Sequence, residues 1–206
     1  MEDAIKDLYF PFLQQENKGD NLFEKIKNAR GKLEINGVIG VKVDDEKMKT
    51  IADGLKLNNT LFELELPYNK IGAEGMKHLA EVLKVNSTLR RLDLLNNYIG
   101  NEGVKYLSEA MKINTTLTEI RIPFNKVTDE GGRYILDFFQ FNNTLTYMMY
   151  YNANMQLELF SQIEERIREN SSFPEDARRR VEQNRRFTKI IKFTSLILAK
   201  KKKNFI

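Results

Sequence analysis

One sequence element occurs three times in this chain, and each copy begins 28 residues after the one before. The copies, which begin at residues 58, 86 and 114, read NNTLFELELPYNKIGAEG, NSTLRRLDLLNNYIGNEG and NTTLTEIRIPFNKVTDEG. A fixed period of about 20–50 residues indicates stacked modules, each of which buries its apolar face only against its neighbours. The sequence therefore predicts a repeat solenoid.

In each copy, the leucine that follows the first three residues opens a stretch in which apolar and polar residues alternate. The alternating apolar positions are Leu64 and Leu66, Leu92 and Leu94, and Ile120 and Ile122. This alternation predicts a short strand whose apolar side chains point to one side. An asparagine follows each strand, at Asn69, Asn97 and Asn125. We expect its amide to bond backbone groups that the bend leaves unpaired.

After the asparagine, the apolar residues recur at helical spacing. The stripes are Met76, Leu79, Ala80 and Leu83; Val104, Leu107, Ser108 and Met111; and Gly132, Ile135, Leu136 and Phe139. These patterns predict amphipathic helices. Glycines stand where each helix should start, which suits a close approach between helix and strand. They are Gly75, Gly103 and Gly131.

The unit of strand, turn, helix and return, with its L-x-x-L/I-x-L/I-x-x-N pattern, resembles the leucine-rich repeat. Its length of 28 residues and its NxIGxEG turn resemble the ribonuclease-inhibitor-type subfamily, whose repeats carry full helices on the convex side. The resemblance covers residues 33–170. It implies an α/β fold, a short right-handed leucine-rich repeat solenoid with a curved parallel sheet and convex α-helices.

The chain divides into three predicted parts. We expect a helical N-terminal cap over residues 1–30, about five repeats over 31–170, and a basic amphipathic C-terminal helix over 171–206. Terminal repeats usually deviate from the consensus because they have a neighbour on one side only.

The repeats at the two ends deviate in different ways. Leu33 precedes Leu64 by 31 residues rather than 28, which predicts three extra residues in the first turn. In the last repeat, Ala153 stands in the place of the turn asparagine, and a helix is predicted over residues 157–169.

The residues available for catalysis or metal binding are few. The chain has no cysteine, and its one histidine, His78, lies beside the buried stripe of a helix. Asp44, Asp45 and Glu46 fit the first turn of a helix, where negative charge is favourable. We therefore predict no enzyme, no cofactor and no metal site. A GTPase-activating leucine-rich repeat protein is the enzyme-class alternative.

The N-terminal sequence, MEDAIKDLYF, lacks a basic and then apolar leader, and no apolar run approaches the roughly 20 residues of a membrane span. These features predict a cytoplasmic protein.

Four asparagines begin N-x-T sequons at the return from helix to strand: Asn58, Asn86, Asn114 and Asn142. Their periodicity favours a structural role over glycosylation. We expect left-handed backbone geometry and local side-chain hydrogen bonds at these positions.

The positions between the strand leucines should project from the open, concave face of the sheet. The predicted partner-binding residues are Glu63, Glu65, Tyr68, Arg91, Asp93, Asn96, Glu119, Arg121, Phe124, Tyr147, Met149 and Tyr151. Aromatic side chains beside mixed charge are typical of protein-binding surfaces. The alternative is that these strands are merely solvated and that residues 147–151 pack under the C-terminal segment.

The C-terminal region is strongly basic. Residues 174–206 contain eleven Lys or Arg and three acidic residues, a local charge of +8, so that the other residues sum to −4. The basic residues are Arg178, Arg179, Arg180, Arg185, Arg186, Lys189, Lys192, Lys200, Lys201, Lys202 and Lys203. On a helical wheel, one side collects Phe187, Ile190, Ile191, Ile197 and Leu198, although Leu196 on the other side breaks the pattern.

Three interpretations of this segment stay open. It could cap the last repeat or insert its apolar side into a partner, bind nucleic acid through its charges, or, less favoured, lie on a membrane surface. The sequence does not predict the oligomeric state.

The leading functional hypothesis is a non-enzymatic scaffold that binds a protein partner through its concave face, within a cytoskeletal, ciliary or other assembly. One alternative is a basic-tail subunit of a ribonucleoprotein assembly. Another comes from NNTLTYMMYYNANMQ at 142–156, followed by a helix and by RRR at 178–180, which resembles the end of the tropomodulin family of actin-capping proteins.

Overall fold

The computed structural model describes residues 22–40, 42–150 and 155–171. In these residues, helices and strands alternate: α1 (Leu22–Asn28), β1 (Gly31–Glu34), α2 (Asp45–Leu57), β2 (Leu61–Glu65), α3 (Ala73–Leu83), β3 (Arg91–Asp93), α4 (Gly100–Met111), β4 (Glu119–Arg121), α5 (Asp129–Phe138), β5 (Tyr147–Met149) and α6 (Leu157–Asn170). The strands form one parallel sheet in the order β1-β2-β3-β4-β5. This architecture confirms the predicted α/β repeat solenoid.

The strands pair in the register that the repeat predicts. Leu64 lies opposite Leu92, and Leu92 lies opposite Ile120, so that equivalent residues 28 positions apart are neighbours in the sheet. In the first repeat the partner of Leu64 is Leu33, as the spacing of 31 residues predicts. The three extra residues therefore lie in the turn after β1. The pairing of β1 with β2 is irregular only between Gly31 and Lys32, at the start of the strand.

The strand leucines and the predicted helix stripes form one continuous core. Leu64, Leu92 and Ile120 are fully or almost fully buried. The predicted stripes are too narrow, however, because the core also contains Val82, Ala110 and Phe138. These side chains are buried because each inner helix packs against the helices on both of its sides as well as against the sheet. Leu136 is only half-buried.

The helix-start glycines do permit a close approach, but at Gly75 the nearest neighbours belong to helix α2 and to the turn rather than to a strand. A Cβ added there would lie 2.6 Å from the Asp45 carboxylate and 3.0 Å from the Ile71 side chain, closer than real Cβ contacts allow. A side chain at this position would therefore push successive repeats apart.

The turn asparagines bridge neighbouring repeats. Asn97 is buried, its Oδ1 accepts from the N–H of Ile71, and its Nδ2 donates to the carbonyl of Leu66. The equivalent Asn69 donates to Ile35, 34 rather than 31 residues earlier, which reflects the longer first turn. The prediction that these amides bond the backbone at the bend is confirmed.

The return asparagines form a second ladder at the opposite edge of the sheet. Asn114, for example, accepts from the N–H groups of Thr116 and Leu117 and donates to the carbonyl of Leu83 in the preceding helix. The predicted local hydrogen bonds are confirmed, but the prediction of left-handed backbone geometry at these asparagines was wrong. Asn58 has φ −88°, and none of the four return asparagines has a positive φ. At Asn58 the extended backbone lets the side chain accept from the N–H of Leu61 and donate to the carbonyl of Ile26 in α1.

Both ends of the described chain pack onto the array. Helix α6 confirms the predicted helix over residues 157–169 to within one residue. Tyr150 is buried beneath it and donates to the carbonyl of Phe160. At the other end, Ile26 of α1 is fully buried, and Asn58 donates to its carbonyl.

The acidic start of helix α2 agrees with the prediction. The helix begins at Asp45, and the side chain of Asp44 accepts from the N–H of Lys47.

Several predictions fall on parts of the chain that the structure does not describe. These are most of the N-terminal cap (residues 1–21), Ala153 and Tyr151 in the last repeat, and the basic segment from residue 172 onward. Among the described residues, no helix combines the length and the apolar character needed to cross a membrane.

Candidate protein-interaction surface

The alternation of the strands places two rows of side chains on the sheet face opposite the helices, here called the concave face. The first row contains Glu63, Arg91, Glu119 and Tyr147, and the second contains Glu65, Asp93, Arg121 and Met149. These eight are the strand members of the predicted set. The sheet thus brings together charged residues that lie 28 positions apart in sequence.

Salt bridges connect these rows along the sheet. Arg91 lies between two carboxylates, with its Nη1 3.4 Å from Glu63 and its Nε 3.0 Å from Glu119. Arg121 lies 2.7 Å from Glu119 and 3.7 Å from Asp93, and its guanidinium also stands 5.7 Å from the ring centre of Tyr147. Arg91 is therefore held by carboxylates of both neighbouring strands, and Arg121 by Glu119 of its own strand and Asp93 of the next one.

Lys32 completes the network at the first strand. Its Nζ lies 2.7 Å from Glu65 and 3.3 Å from Glu63. Lys32 was not among the predicted site residues, although it precedes Glu63 by the same 31 residues that separate Leu33 from Leu64. Four carboxylates and three cations make up the network, which leaves an excess of one negative charge.

Crowding of the carboxyl groups changes their pKa values. Burial, together with the neighbouring Glu63 carboxyl, raises the pKa of Glu65 despite the nearby Lys32. Burial also raises the pKa of Asp93, against the opposing effects of the Leu95 N–H and Arg121. Burial acts in the same direction on Glu63, but hydrogen bonding from Glu65, with Arg91 and Lys32, leaves its pKa lowered. Protonation is therefore easier at Glu65 and Asp93, whose pKa values are raised, than at Glu63, whose pKa is lowered.

Exposed apolar residues border the concave face where the strands end. This surface, the strand-end rim, consists of Val38, Ile39, Tyr68, Tyr98 and Phe124. Backbone hydrogen bonds bring its loops together: Gly37 donates to the carbonyl of Pro67, and Tyr98 donates to that of Ile71. Exposed apolar residues grouped in this way mark interaction sites more often than isolated ones do.

Two rim aromatics occupy strained backbone positions. Tyr68, Asn96 and Phe124 have equivalent places in successive repeats and share left-handed backbone geometry, with φ of 60°, 52° and 58°. Asparagine tolerates this region, whereas a bulky aromatic residue adopts it only at a cost. The rings are 41% exposed at Tyr68 and 56% exposed at Phe124, so burial in the core does not account for them. Strain of this kind is concentrated at functional sites.

The structure separates the predicted site residues into exposed and covered ones. Tyr68 and Phe124 on the rim and Asn96 between them are exposed, whereas Tyr147 is only 8% exposed and Glu63 only 7%. Tyr147 thus lies on the concave face but offers little surface to a partner. The rim residues Tyr98, Val38 and Ile39 were not predicted, because they lie in turns outside the alternating pattern.

The described residues include no group of three or more His, Cys, Asp or Glu side chains suited to hold a metal ion. His78 is half-buried on α3.

Comparison with known proteins places these observations in context. A family model described as leucine rich repeat matches residues 57–80, 85–108 and 114–136. No curated protein matches the chain significantly.

Two solved structures share the fold. One is leiomodin-1 actin-binding site 2, with a TM-score of 0.67 and 19% identity over 82% of this chain and 98% of the other. The other is the C-terminal domain of a tropomodulin from Caenorhabditis elegans, with a TM-score of 0.63 and 13% identity over 75% of this chain and 93% of the other. The chain is thus an α/β solenoid with leucine-rich repeats, similar in fold to these two domains.

Proposed function

We propose that this protein is a non-enzymatic scaffold that binds a protein partner through its concave face and strand-end rim. The observation that carries the proposal is the pair of exposed aromatic side chains, Tyr68 and Phe124, in left-handed backbone geometry at the edge of an ordered charge network. Aromatic residues are common energetic anchors of protein interfaces.

The two parts of the surface have different roles in this mechanism. The aromatic rings of the rim supply apolar area that is buried on binding, because they project from a sheet whose backbone is already fixed. The salt bridges hold Arg91 and Arg121 in defined positions, so that little side-chain freedom is lost when a partner docks. Complementary charges then select the partner's orientation.

Actin is the first partner to test. The leiomodin-1 domain that shares this fold is named as an actin-binding site. Since the two chains are 19% identical, the likeness concerns the fold, and actin binding by this chain is a hypothesis. The ribonucleoprotein alternative rests on the basic segment beyond residue 171 and stays a prediction, as do the cytoplasmic location and the absence of catalysis. Membership of the ribonuclease-inhibitor-type subfamily is also proposed, supported by the full helices in the repeats.

The test replaces both anchors with the residue that the middle repeat already uses. Tyr68→Asn combined with Phe124→Asn removes the rings but suits the left-handed backbone, so the fold should be retained. Co-sedimentation with filamentous actin and binding to monomeric actin then measure affinity. The control is Leu157→Asn, which removes an exposed apolar side chain on α6. We expect at least a tenfold loss for the double variant and no change for the control, as for interface anchors in general.

Two results would count against the proposal in different ways. If the unmodified protein binds neither form of actin, actin is excluded as the partner, and the same variants are applied to proteins captured from lysate. If every captured partner binds the double variant as well as the unmodified chain, the binding site does not lie on the strand-end rim.

A further inference from the structure

A second set of exposed apolar side chains lies at the opposite edge of the sheet. The residue before each return asparagine is large, apolar and 59–74% exposed; these residues form the helix-end stripe, namely Leu57, Val85, Ile113 and Phe141. Each is 28 residues from the next. Because equivalent residues of a solenoid are neighbours in space, the four side chains lie in one line along the array.

The turn itself does not explain this stripe. The asparagine that follows each stripe residue makes the hydrogen bonds of the return, as Asn114 does with Leu117 and Leu83. A polar residue before the asparagine would leave those bonds intact. Single exposed apolar residues are ordinary on protein surfaces, but the same exposed position in four successive repeats makes a continuous apolar line.

The chain leaves the described solenoid beside one end of this stripe. Asn170, the last residue of α6, donates from its Nδ2 to the carbonyls of Asn142 and Leu145, at 3.0 Å in both cases. Asn142 directly follows Phe141, the last stripe residue. The segment beyond α6 therefore starts next to Phe141, at the end of the stripe that belongs to the last repeat.

The length of this segment fits the stripe. The residues predicted to form the apolar side of the C-terminal helix run from Phe187 to Leu198, and residues 172–186 connect them to α6. Those fifteen connecting residues can span up to about 50 Å when extended. A twelve-residue helix is about 18 Å long. The four stripe residues are separated by three repeat intervals. Each interval is between about 5 Å, the spacing of strands in a sheet, and about 10 Å, the spacing of packed helices, so the stripe is roughly 15–30 Å long.

Charge favours the same arrangement. An acidic residue precedes each stripe residue by four positions: Asp53, Glu81, Glu109 and Asp137. Lysines pair with the first three, but in the last repeat Gln140 takes the place of the lysine, and Asp137 shares Lys112 with Glu109. The last repeat therefore has an acidic residue without a lysine of its own, and this repeat is nearest to the start of the +8 segment.

We propose that residues 187–198 of this chain dock on the helix-end stripe of the same molecule. Their apolar side covers Phe141, Ile113 and Val85, while their lysines face solvent and the acidic residues beside the stripe. This contact makes the C-terminal segment part of the solenoid's surface, and it is independent of the partner that the strand-end rim binds.

The test uses the absence of cysteine, which allows a single spin label to be placed at will. Ile113→Cys carries the label on the stripe, and Tyr98→Cys carries it on the opposite edge as the control. Paramagnetic broadening of backbone amide signals is measured in the full-length, isotopically labelled protein. We expect strong broadening of residues 187–198 from position 113 and little from position 98. Adding Val85→Glu and Phe141→Glu should abolish this broadening. The solenoid itself should stay folded, as its circular dichroism spectrum will check, because neither side chain belongs to the core.

A mixed sample identifies which molecule supplies the segment. Spin-labelled protein without isotope is combined with isotope-labelled protein without spin label, so that only contacts between molecules cause broadening. We expect none. Broadening of residues 187–198 in the mixed sample would assign the stripe to a second copy. Equal or absent broadening from positions 113 and 98 would show that the segment does not dock on the stripe. Each of these results overturns the proposal.

Discussion

The side-chain amide of Asn125 donates to the carbonyl of Leu94, 31 residues earlier, at a distance of 2.8 Å. The same side chain donates to Ile122 and accepts from the N–H of Ile99. One buried residue thus satisfies backbone groups of two consecutive repeats, in a turn whose own geometry leaves them without strand partners.

The first prediction follows from this bridge. Asn125→Ala leaves buried backbone groups without partners, each at a cost of about 1–3 kcal/mol. The free energy of unfolding, measured by urea denaturation, should fall by at least that amount. Asn143→Ala is the matched control because Asn143 is exposed, and it should have little effect. Equal losses in the two variants would contradict the bridging role.

A second prediction concerns the core. Leu92 lies between Leu64 and Ile120 in the sheet and is 1% exposed. Leu92→Ala should lower the free energy of unfolding by about 2–5 kcal/mol, because it leaves a cavity between two repeats. In a short array this loss is expected to destabilise the whole molecule rather than one repeat. Val38→Ala, at an exposed position outside the helix-end stripe, serves as the control in the same denaturation experiment.

Backbone strain at Phe124 gives a third prediction. Phe124→Asn replaces an aromatic residue in left-handed geometry with the residue found at the equivalent position 96, and it should raise the free energy of unfolding by about 1 kcal/mol. Tyr98→Asn removes a ring of similar exposure at a position without positive φ, and no gain is expected there. If both variants gain equally, surface polarity rather than strain explains the effect.

The fourth prediction is a pH dependence. The folded-state pKa of Asp93 is raised, mainly by burial, so the native state keeps its proton at pH values where the unfolded chain has lost it. Stability should therefore fall as pH rises from the unfolded pKa through the folded one. Asp93→Asn keeps an oxygen that can accept from the Leu95 N–H but carries no charge. The variant should become more stable than the unmodified protein as pH rises through that interval.

Thermal unfolding at several pH values measures this difference. The control is Asp53→Asn, which removes an exposed carboxylate paired with Lys56. A difference between Asp93→Asn and the unmodified protein that grows toward acidic pH would have the wrong sign and would reject the argument.

The sequence by itself determined the repeat architecture. Apolar alternation and a constant period specify which side chains face the helices, and the interval between Leu33 and Leu64 located the one insertion in the array. These features are local or strictly periodic, so they can be predicted without coordinates. The helix stripes were predicted less completely, since Phe138 is buried by contacts with neighbouring helices that no single helix pattern contains.

Only the tertiary structure decided how the surface is divided. It assigned left-handed geometry to Tyr68 and Phe124 rather than to the return asparagines, and it showed Tyr147 to be covered. It also joined Lys32 to Glu63 and Glu65. The physical reason is that exposure, ion pairing and backbone strain depend on what stands next to a residue in space. In this solenoid, that neighbour is usually about 28 residues away along the chain.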